Sequence, residues 1–406
     1  MSPSCRHCAA PLCIDFLDLG FAPPSNAYLL PKDLSRAEMT FPLRLLACNE
    51  CRLVQTEDYA TADLLFKDDY AYFSSTSKIW LNHAAKYADM IINRFGLGQE
   101  SQVVEIACND GYLLKNFLIN GIPCLGVEPS KNTADAARSL GIPVAQEFFG
   151  ASFASELDKA DLIVGNNVFA HVPNINDFTT GLKIALKPEG VITLEFPHLM
   201  RLVEFSQFDT VYHEHFSYLS LFAAERIFAL AGLRVFDVEE LTTHGGSLRI
   251  YGCHFASSHL ITSAVRVIRN EENARGIDTD DYYRAFQTKA DAVKDNFVRF
   301  LLAAKAEGKT VAGYGAAAKG NTIINYAGIK PDLMPFICDA AEAKIGKLMP
   351  GSHIPIFSPS KLRNSRPDYV VILPWNIATE IQSKFSDLAA LGTKFVTAVP
   401  NLKVLE

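Results

Sequence analysis

From residue 102 onward, short apolar runs alternate with loops and helix-like stretches. Residues 103–107 (Val-Val-Glu-Ile-Ala) form a β-branched run, and a turn of small and polar residues follows at 108–111. Residues 112–117 form a helix-like segment, and residues 124–129 form a second apolar run with an acid near its end. This order of strand, tight loop, helix and strand is typical of the nucleotide-binding half of a doubly wound parallel sheet.

Later segments extend the predicted sheet. Residues 160–172 and 186–195 predict two further strands, and all three successive loops carry polar residues at the same end. Residues 220–233 predict an amphipathic helix with Ser220 as its N-cap and Gly232 at its end. The strands expected at 233–238 and 244–251 supply a closing antiparallel hairpin, as in the sheet of a methyltransferase.

The last third repeats the plan. Apolar residues at intervals of three or four between 283 and 304 predict a long amphipathic helix that connects two domains. After it come a strand and glycine loop at 310–321 and further predicted strands, at 334–339, 354–356, 369–373 and 394–399. A second Rossmann-like domain is expected.

The predicted fold class is therefore α/β, with a small N-terminal zinc-binding domain and two Rossmann-like domains. The expected boundaries are 1–65 for the N-terminal domain, 66–265 for the first Rossmann-like domain, 266–308 for a helical connector, and 309–406 for the second Rossmann-like domain.

Composition narrows the function. The chain has 406 residues, of which 49% are hydrophobic and 20% charged, as in ordinary globular proteins. Its net charge of -7 argues against nucleic acid or an anionic membrane as the main partner, because both need a basic face. The N-terminus lacks the features of a signal peptide and no segment has the length of a membrane span, so a cytoplasmic location is expected.

Two CxxC pairs indicate a metal site near the N-terminus. Cys5 and Cys8 form one pair, and Cys48 and Cys51 form the other. Four thiolates make a closed tetrahedral zinc site, which holds a fold and has no open position for chemistry. A redox pair and plain buried cysteines are the alternatives, and Cys13 is expected to be a bystander that could replace a ligand.

The loop at 107–111 indicates which cofactor the first sheet binds. A dinucleotide needs a glycine-rich loop that holds phosphate, whereas here Glu105 and Asp110 flank the loop with negative charge. Such a loop favours S-adenosylmethionine, which is cationic and has no phosphate, and Glu128 is placed to accept hydrogen bonds from its ribose hydroxyls. The predicted cofactor-binding residues are Glu105, Ala107, Cys108, Asn109, Asp110, Gly111, Glu128, Pro129, Asn166, Asn167 and His171.

The run Tyr212-His213-Glu214-His215 is the candidate for catalysis. In an extended chain the two histidines face one way, whereas in a helical turn Tyr212 and His215 share a face. A metal site on the two histidines and a solvated loop are the alternatives.

The glycine loop of the last domain is basic. Its glycines and Lys319 are expected to hold a nucleotide diphosphate through backbone amides and one ammonium group. A structural turn and an NAD site are the alternatives, although the glycine spacing departs from the dinucleotide pattern. His244, beside two glycines, is a further candidate. The predicted substrate-binding residues are Gly313, Tyr314, Gly315, Lys319, Asn321 and His244.

These motifs together resemble the S-adenosylmethionine-dependent C-methyltransferases of nucleotide-linked deoxysugars. The resemblance rests on the two CxxC pairs with Ser25-Asn26 between them, the loop at 105–111, the run at 212–215, and the loop at 313–320. It implies a zinc-binding domain, a central cofactor domain, a C-terminal domain that anchors the nucleotide sugar, and methylation at C3 of a 4-keto sugar. It also implies an active-site tyrosine, matched to Tyr72, with Tyr70 as the alternative.

Methylation beside a ketone needs a base and a group that stabilises the enolate oxygen. His215 is the expected base, with Tyr212, His213 and Glu214 orienting it or polarising the ketone. The expected substrate is a dTDP-, GDP- or CDP-linked keto-sugar. An O- or N-methyltransferase and a non-catalytic zinc-ribbon adaptor are the other classes.

Overall fold

A computed structural model describes residues 3–57, 59 and 73–405 as a chain with three sheets. Within these residues, no helix combines the length and the apolar character that a membrane crossing requires. The helices of this part of the chain are Lys78–Phe95, Leu114–Ile119, Lys131–Ser139, Ala151–Ala154, Ile175–Ala185, Leu199–Glu204, Leu221–Leu230, Ser263–Ala274, Asp280–Arg284, Phe286–Ala306, Ala318–Tyr326, Ser360–Ser365, Ala378–Lys384 and Ser386–Ala390.

The first sheet, called the N-terminal sheet, has four strands. Its antiparallel members in spatial order are Ile14–Ala22, Phe41–Ala47, Val54–Thr56 and Ser217–Tyr218. The last of these strands comes from a part of the chain far from the other three. The N-terminal sheet thus includes the residues that directly follow the Tyr-His-Glu-His run, which the sequence did not predict.

The central sheet has seven strands and confirms the predicted doubly wound plan. In spatial order they are Leu233–Leu241, Ser247–His254, Leu186–Pro197, Ala160–Asn166, Val103–Ile106, Cys124–Val127 and Val144–Ala145. The first two form the expected antiparallel hairpin, and the other five are parallel. Their carboxyl ends therefore meet at one edge, where ligands of such sheets bind.

The C-terminal sheet has six strands and confirms a second Rossmann-like unit. In spatial order they are Ile356–Phe357, Ile337–Cys338, Val311–Tyr314, Tyr369–Ile372, Lys394–Thr397 and Lys403–Leu405. Only the last is antiparallel to its neighbour.

One apolar core crosses from the N-terminal to the C-terminal sheet. The helix Phe286–Ala306 buries the predicted stripe, including Phe286, Phe297 and Leu301, and Phe286 stacks on Phe16 of the N-terminal sheet at a ring distance of 4.7 Å. The same cluster includes Leu199 and Phe208, which lead into the Tyr-His-Glu-His run. The segment that carries the predicted catalytic residues is therefore packed between two sheets.

Candidate active site and zinc centre

The four predicted zinc ligands come together. The sulfur atoms of Cys5, Cys8, Cys48 and Cys51 all lie within 4.8 Å of one another. Four soft ligands at this separation fit one tetrahedral zinc ion and leave no position for a substrate. Cys13 is exposed, and its thiol lies 3.4 Å from the carbonyl of Pro11, so it stays outside the cluster.

The zinc centre is linked to the Tyr-His-Glu-His run through a strand pair. Val54 and Gln55 lie three and four residues after Cys51 and are paired with Tyr218 and Ser217. The Gln55 side chain also donates a hydrogen bond to the Cys5 sulfur at 3.2 Å. Because side chains that bond to a metal ligand orient it, Gln55 ties the zinc ligands to the strand that follows the run.

The loop at 107–111 takes a sharply turned path after its strand. Ala107, Asn109 and Gly111 have φ angles of 56°, 50° and 76°. Non-glycine residues rarely adopt this left-handed conformation, and its clustering beside a strand end is typical of functional loops. A β-carbon at Gly111 would meet Ile142 and Ala137, so only glycine lets the loop pack there.

Three acids surround this loop. The carboxylate of Glu105 is buried and neither of its oxygens has a hydrogen-bond partner, while Asp110 keeps one buried oxygen unpartnered. Burial raises the pKa of Glu105 well above its usual value, and the charges of Asp110 and Glu128 add to this. Such buried, unpartnered acids are costly, and a cationic ligand would remove the cost.

Glu128 lies at the end of the neighbouring strand, with its carboxylate held by two backbone amides. Asn109 donates to one oxygen at 3.0 Å and Ser130 donates to the other at 2.9 Å. Burial raises the pKa of Glu128, and these two amides oppose the shift. Each oxygen retains acceptor capacity, as hydrogen bonding to two ribose hydroxyls requires.

The turn that precedes the helix Lys78–Phe95 is hydrogen-bonded to the same loop. Asn109 accepts a hydrogen bond from the Ser74 amide at 2.9 Å, and Asp110 accepts one from the Ser75 amide at 3.0 Å. The turn at Ser74–Thr76 therefore lies against the cofactor loop. The preceding residues 60–72, which include the predicted Tyr72 and its alternative Tyr70, lie outside the described residues.

The remaining predicted cofactor residues divide into two groups. Asn166 and Asn167 stand at the carboxyl end of the strand Ala160–Asn166, and their buried side chains have unpartnered polar atoms. Cys108, in contrast, packs its thiol into the apolar core, where a β-carbon on Gly126 would collide with it. Cys108 and Ala107 therefore offer a ligand only their backbone, and Pro129 is half-buried beside Glu128.

The Tyr-His-Glu-His run adopts the turn in which Tyr212 and His215 share a face. The His215 amide donates to the Tyr212 carbonyl at 2.9 Å, and the two rings lie 4.0 Å apart. The His215 Nδ1 lies 3.0 Å from the carbonyl of Thr210. Because a carbonyl only accepts, Nδ1 carries the proton in the neutral ring and Nε2 holds the lone pair.

Burial lowers the pKa of His215 well below its usual value, and His171 and Lys319 lower it further. The His171 ring lies 4.5 Å from the His215 ring, and its Nδ1 lies 2.8 Å from the Glu214 carbonyl. His171 follows the strand that ends at Asn166. The predicted cofactor residue His171 thus connects the cofactor edge of the central sheet to the candidate base.

His213 points elsewhere. Its Nε2 lies 3.2 Å from the carbonyl of Pro42, and its ring packs edge-on against Phe41, at 6.0 Å between centroids. His213 thus contacts two residues of the N-terminal sheet, whereas the His215 ring lies among Tyr212, His171 and Tyr218.

The glycine loop of the C-terminal sheet differs from the predicted phosphate cradle. The amides of Gly315, Ala316 and Ala317 already donate to the Cys338 carbonyl, the Asp339 carboxylate and the Gly315 carbonyl. A nucleotide diphosphate therefore finds no free amide at these three positions.

Packing explains the glycines of this loop. A β-carbon at Gly313 would meet Ile337 and Met334, and one at Gly315, where φ is 90°, would meet Pro374. Tyr314 is buried in the core of the same unit. Packing therefore accounts for Gly313, Tyr314 and Gly315, and their role in holding substrate stays a prediction.

Lys319 and Asn321 remain candidates. The Lys319 ammonium lies 4.7 Å from the centre of the Trp375 ring and 3.5 Å from the Asn376 side-chain oxygen. Burial lowers its pKa, and the charge of Asp209 opposes this. The Asn321 side chain is buried with unpartnered amide atoms. Because Lys319 also affects the pKa of His215, its charge reaches the catalytic run itself.

His244 lies at the cofactor edge of the central sheet. Its Nε2 is 3.2 Å from the Asn167 side-chain nitrogen, and its ring packs edge-on against Trp80 at 5.2 Å. Burial lowers the pKa of His244 to about 4, and Lys319 contributes to the shift. His244 thus contacts the predicted cofactor residue Asn167, and the charge of Lys319 reaches its ring.

Sequence reasoning missed several residues of the site. Asp209 is fully buried, accepts a hydrogen bond from the Trp375 indole at 2.7 Å and has a pKa raised to about 6 by burial. The buried Glu195 accepts hydrogen bonds from Arg249 and from Thr243, the neighbour of His244 in the chain, and its carboxylate lies 2.8 Å from His83 Nε2. No spacing in the sequence joins these residues, although the presence of only two tryptophans could have drawn attention to Trp80 and Trp375.

Comparisons with known proteins agree with this geometry. Residues 5–66 match a family model described as "Putative zinc binding domain", residues 80–238 match a methyltransferase domain, and residues 242–400 match a C-methyltransferase C-terminal domain. The C-methyltransferase NovU of Streptomyces niveus is 33% identical over 405 residues, which covers 99% of this chain and 96% of NovU.

Solved structures match a smaller part of the chain. The magnesium protoporphyrin IX methyltransferase ChlM of Synechocystis PCC 6803 with bound SAM has a TM-score of 0.34 and 13% identity, over 46% of this chain and 86% of ChlM. An S-adenosylmethionine-dependent methyltransferase of Clostridium acetobutylicum ATCC 824 also has a TM-score of 0.34 and 13% identity, over 43% and 92% of the two chains.

Proposed function

The chain belongs to the S-adenosylmethionine-dependent C-methyltransferases with an N-terminal zinc-binding domain, and on this premise we propose that it methylates C3 of a nucleotide-linked 4-keto-deoxysugar. S-adenosylmethionine supplies an electrophilic methyl group. The acidic loop at 105–111 fits its cationic, phosphate-free structure, because buried oxygens of Glu105 and Asp110 lack the partners that such a ligand provides. Glu128, whose two oxygens each accept one backbone amide and retain further acceptor capacity, is the proposed partner of the ribose hydroxyls.

The observation that carries the proposal is the state of His215. A carbon atom becomes nucleophilic only when a proton is removed, and a neutral imidazole with its lone pair on Nε2 can remove one. The Thr210 carbonyl fixes this tautomer, and the lowered pKa keeps the ring neutral near pH 7. An O- or N-methyltransferase does not need a base that removes a proton from carbon, because its substrate atom already carries a lone pair, so proton exchange at C3 separates the two classes.

A histidine with a lowered pKa is a weak base, so the site must stabilise the enolate that forms. We assign this task to Tyr212, whose ring lies against His215, and to the nearby charge of Lys319. Tyr72 is a further candidate from its position in the family motif. The negative enolate in turn stabilises the protonated ring of His215 until methyl transfer is complete.

We assign the nucleotide part of the substrate to the surroundings of Lys319 and Asn321. The glycine loop is not chosen, because its amides at 315–317 already have partners. Lys319 is a cation that a diphosphate or a ketone oxygen can approach, and the two unpartnered amide atoms of Asn321 can bind a polar ligand. The location of the protein, which we expect to be cytoplasmic, agrees with such a soluble substrate.

The test is to incubate the protein in deuterated buffer with dTDP-, GDP- and CDP-linked 4-keto-deoxysugars and to follow C3 by NMR. We expect deuterium exchange at C3 without the methyl donor, and a new C3 methyl group when S-adenosylmethionine is added. Methyl transfer to oxygen or nitrogen without C3 exchange would contradict the proposal. No turnover together with no cofactor binding would favour a non-catalytic adaptor.

A further inference from the structure

A residue of the N-terminal region reaches the catalytic run. The side-chain amide of Asn26 donates a hydrogen bond of 2.7 Å to the carboxylate Oε1 of Glu214. The two residues are 188 positions apart in the chain. Asn26 lies between the two CxxC pairs, so it belongs to the same region as the zinc ligands and not to the cofactor-binding sheet.

We propose that Asn26 is a positioning residue for methyl transfer, which acts by fixing the Glu214 carboxylate. This inference rests on the proposed function and goes beyond it, because it makes the zinc-binding region a part of the catalytic apparatus. The zinc centre itself holds no open coordination position, so the contribution of this region is a hydrogen-bond donor.

The chemistry of the donor explains why an asparagine suits this position. Glu214 is only 3% exposed, and a buried carboxylate needs hydrogen-bond donors to keep its place. An arginine or lysine would cancel the negative charge by forming an ion pair. An amide is neutral, so it fixes the direction of the carboxylate by a hydrogen bond without adding a positive charge beside it.

Hydrogen bonds of its own turn and of the neighbouring Tyr28 fix the position of Asn26. A turn holds its backbone, since the Ala27 amide donates to Pro24 at 3.0 Å and the Tyr28 amide donates to Asn26 at 2.9 Å. The Tyr28 hydroxyl donates to the Ala316 carbonyl at 2.6 Å, in the loop that precedes Lys319. The turn at Asn26 thus bridges the catalytic run and the C-terminal unit.

The test compares three variants of this residue. Asn26→Ala removes the donor, Asn26→Asp keeps the shape but replaces the donor with a second acid, and Asn26→Gln keeps an amide on a longer side chain. We expect the first two to lower kcat for methylation and the C3 exchange rate about 10–100-fold, as expected for losing a hydrogen bond to a charged group. Asn26→Gln should restore part of both rates.

The control is Asn176→Ala, another asparagine at the contact between the N-terminal region and the central sheet. Asn176 exchanges two hydrogen bonds with His7, at 2.7 and 2.8 Å, and does not contact the catalytic run. We expect its kcat to stay within about threefold of the wild type. The affinity for S-adenosylmethionine, measured by calorimetry, should be unchanged in all four variants and shows that the central sheet is folded.

Three results would overturn the inference while leaving the proposed function intact. These are an Asn26→Ala variant with wild-type exchange and methylation, an equal loss of kcat in Asn176→Ala, and a rise in KM with no change in kcat. The proposed function fails in a different way, since wild-type protein would then show no C3 exchange with any keto-sugar.

Discussion

The central and C-terminal Rossmann-like units share the order of strand, loop and helix, but the polar groups around their two loops differ in their hydrogen-bond partners. In the central unit, buried oxygens of Glu105 and Asp110 face the loop without partners. In the C-terminal unit, the Ala316 amide donates to Asp339, and the Ala316 carbonyl accepts from Tyr28 and Lys344. The acids beside the central loop thus lack hydrogen-bond partners, whereas the chain's own side chains supply partners to the loop of the C-terminal unit.

This difference shows that the strand-loop-helix pattern alone does not identify a ligand site. Folding normally gives every buried polar group a partner, so groups left without one mark the place where a ligand supplies it. Lys319 lies in the first turn of the helix Ala318–Tyr326, directly after this loop. On the proposed function, the C-terminal unit contributes the Lys319 cation to a site built on the central sheet.

The largest expected loss of activity follows from removing the proposed base His215. His215→Asn removes the base, and we expect kcat to fall about 10²–10⁴-fold, as for other general bases. C3 exchange should be lost together with methylation, while calorimetry should show nearly unchanged cofactor binding. His213→Asn is the matched control, and a loss of exchange in that variant alone would make His213 the base.

The second prediction concerns the loop of the central unit. Glu128→Ala removes the acceptor assigned to the ribose hydroxyls, and we expect the Kd for S-adenosylmethionine to rise about tenfold or more. Glu128→Gln keeps the size and part of the acceptor capacity, so its loss should be smaller. Calorimetry with unchanged affinity in Glu128→Ala would place the ribose elsewhere.

The third prediction concerns Lys319, the cation that the C-terminal unit is proposed to contribute to the site. Lys319 lowers the pKa of His215, so Lys319→Met should raise that pKa and move the acidic limb of the kcat/KM profile to higher pH. The KM for the nucleotide sugar should also rise about 3–10-fold, or roughly 0.6–1.4 kcal/mol. Lys344→Met, which neutralises another lysine of the same unit, should leave the acidic limb in place.

The sequence predicted what depends on local pattern and missed what depends on contacts between distant segments. The strand ends at Glu105 and Glu128 and the zinc ligands follow from spacing, whereas spacing left open whether Tyr212 and His215 share a face. Asn26 could not be placed, because its partner Glu214 is brought to it only by the packing of two sheets. The partner of the Ala316 amide in the glycine loop could not be predicted for a similar reason, since Asp339 reaches it only after folding.

The smallest effect on activity is expected for a change at Asp339. This change tests directly whether the loops of the central and C-terminal units differ in function. Asp339→Ala removes the acceptor of the Ala316 amide and the ion-pair partner of Lys344, whose ammonium lies 3.7 Å away. We expect a loss of about 1–3 kcal/mol in the free energy of unfolding, because the amide is left unpartnered. The Kd for S-adenosylmethionine should not change, since the loop does not bind it. Urea unfolding and calorimetry on the same preparation give both values. If Asp339→Ala weakened cofactor binding as much as Glu128→Ala does, the two loops would be alike in function and the unpartnered oxygens would no longer distinguish them.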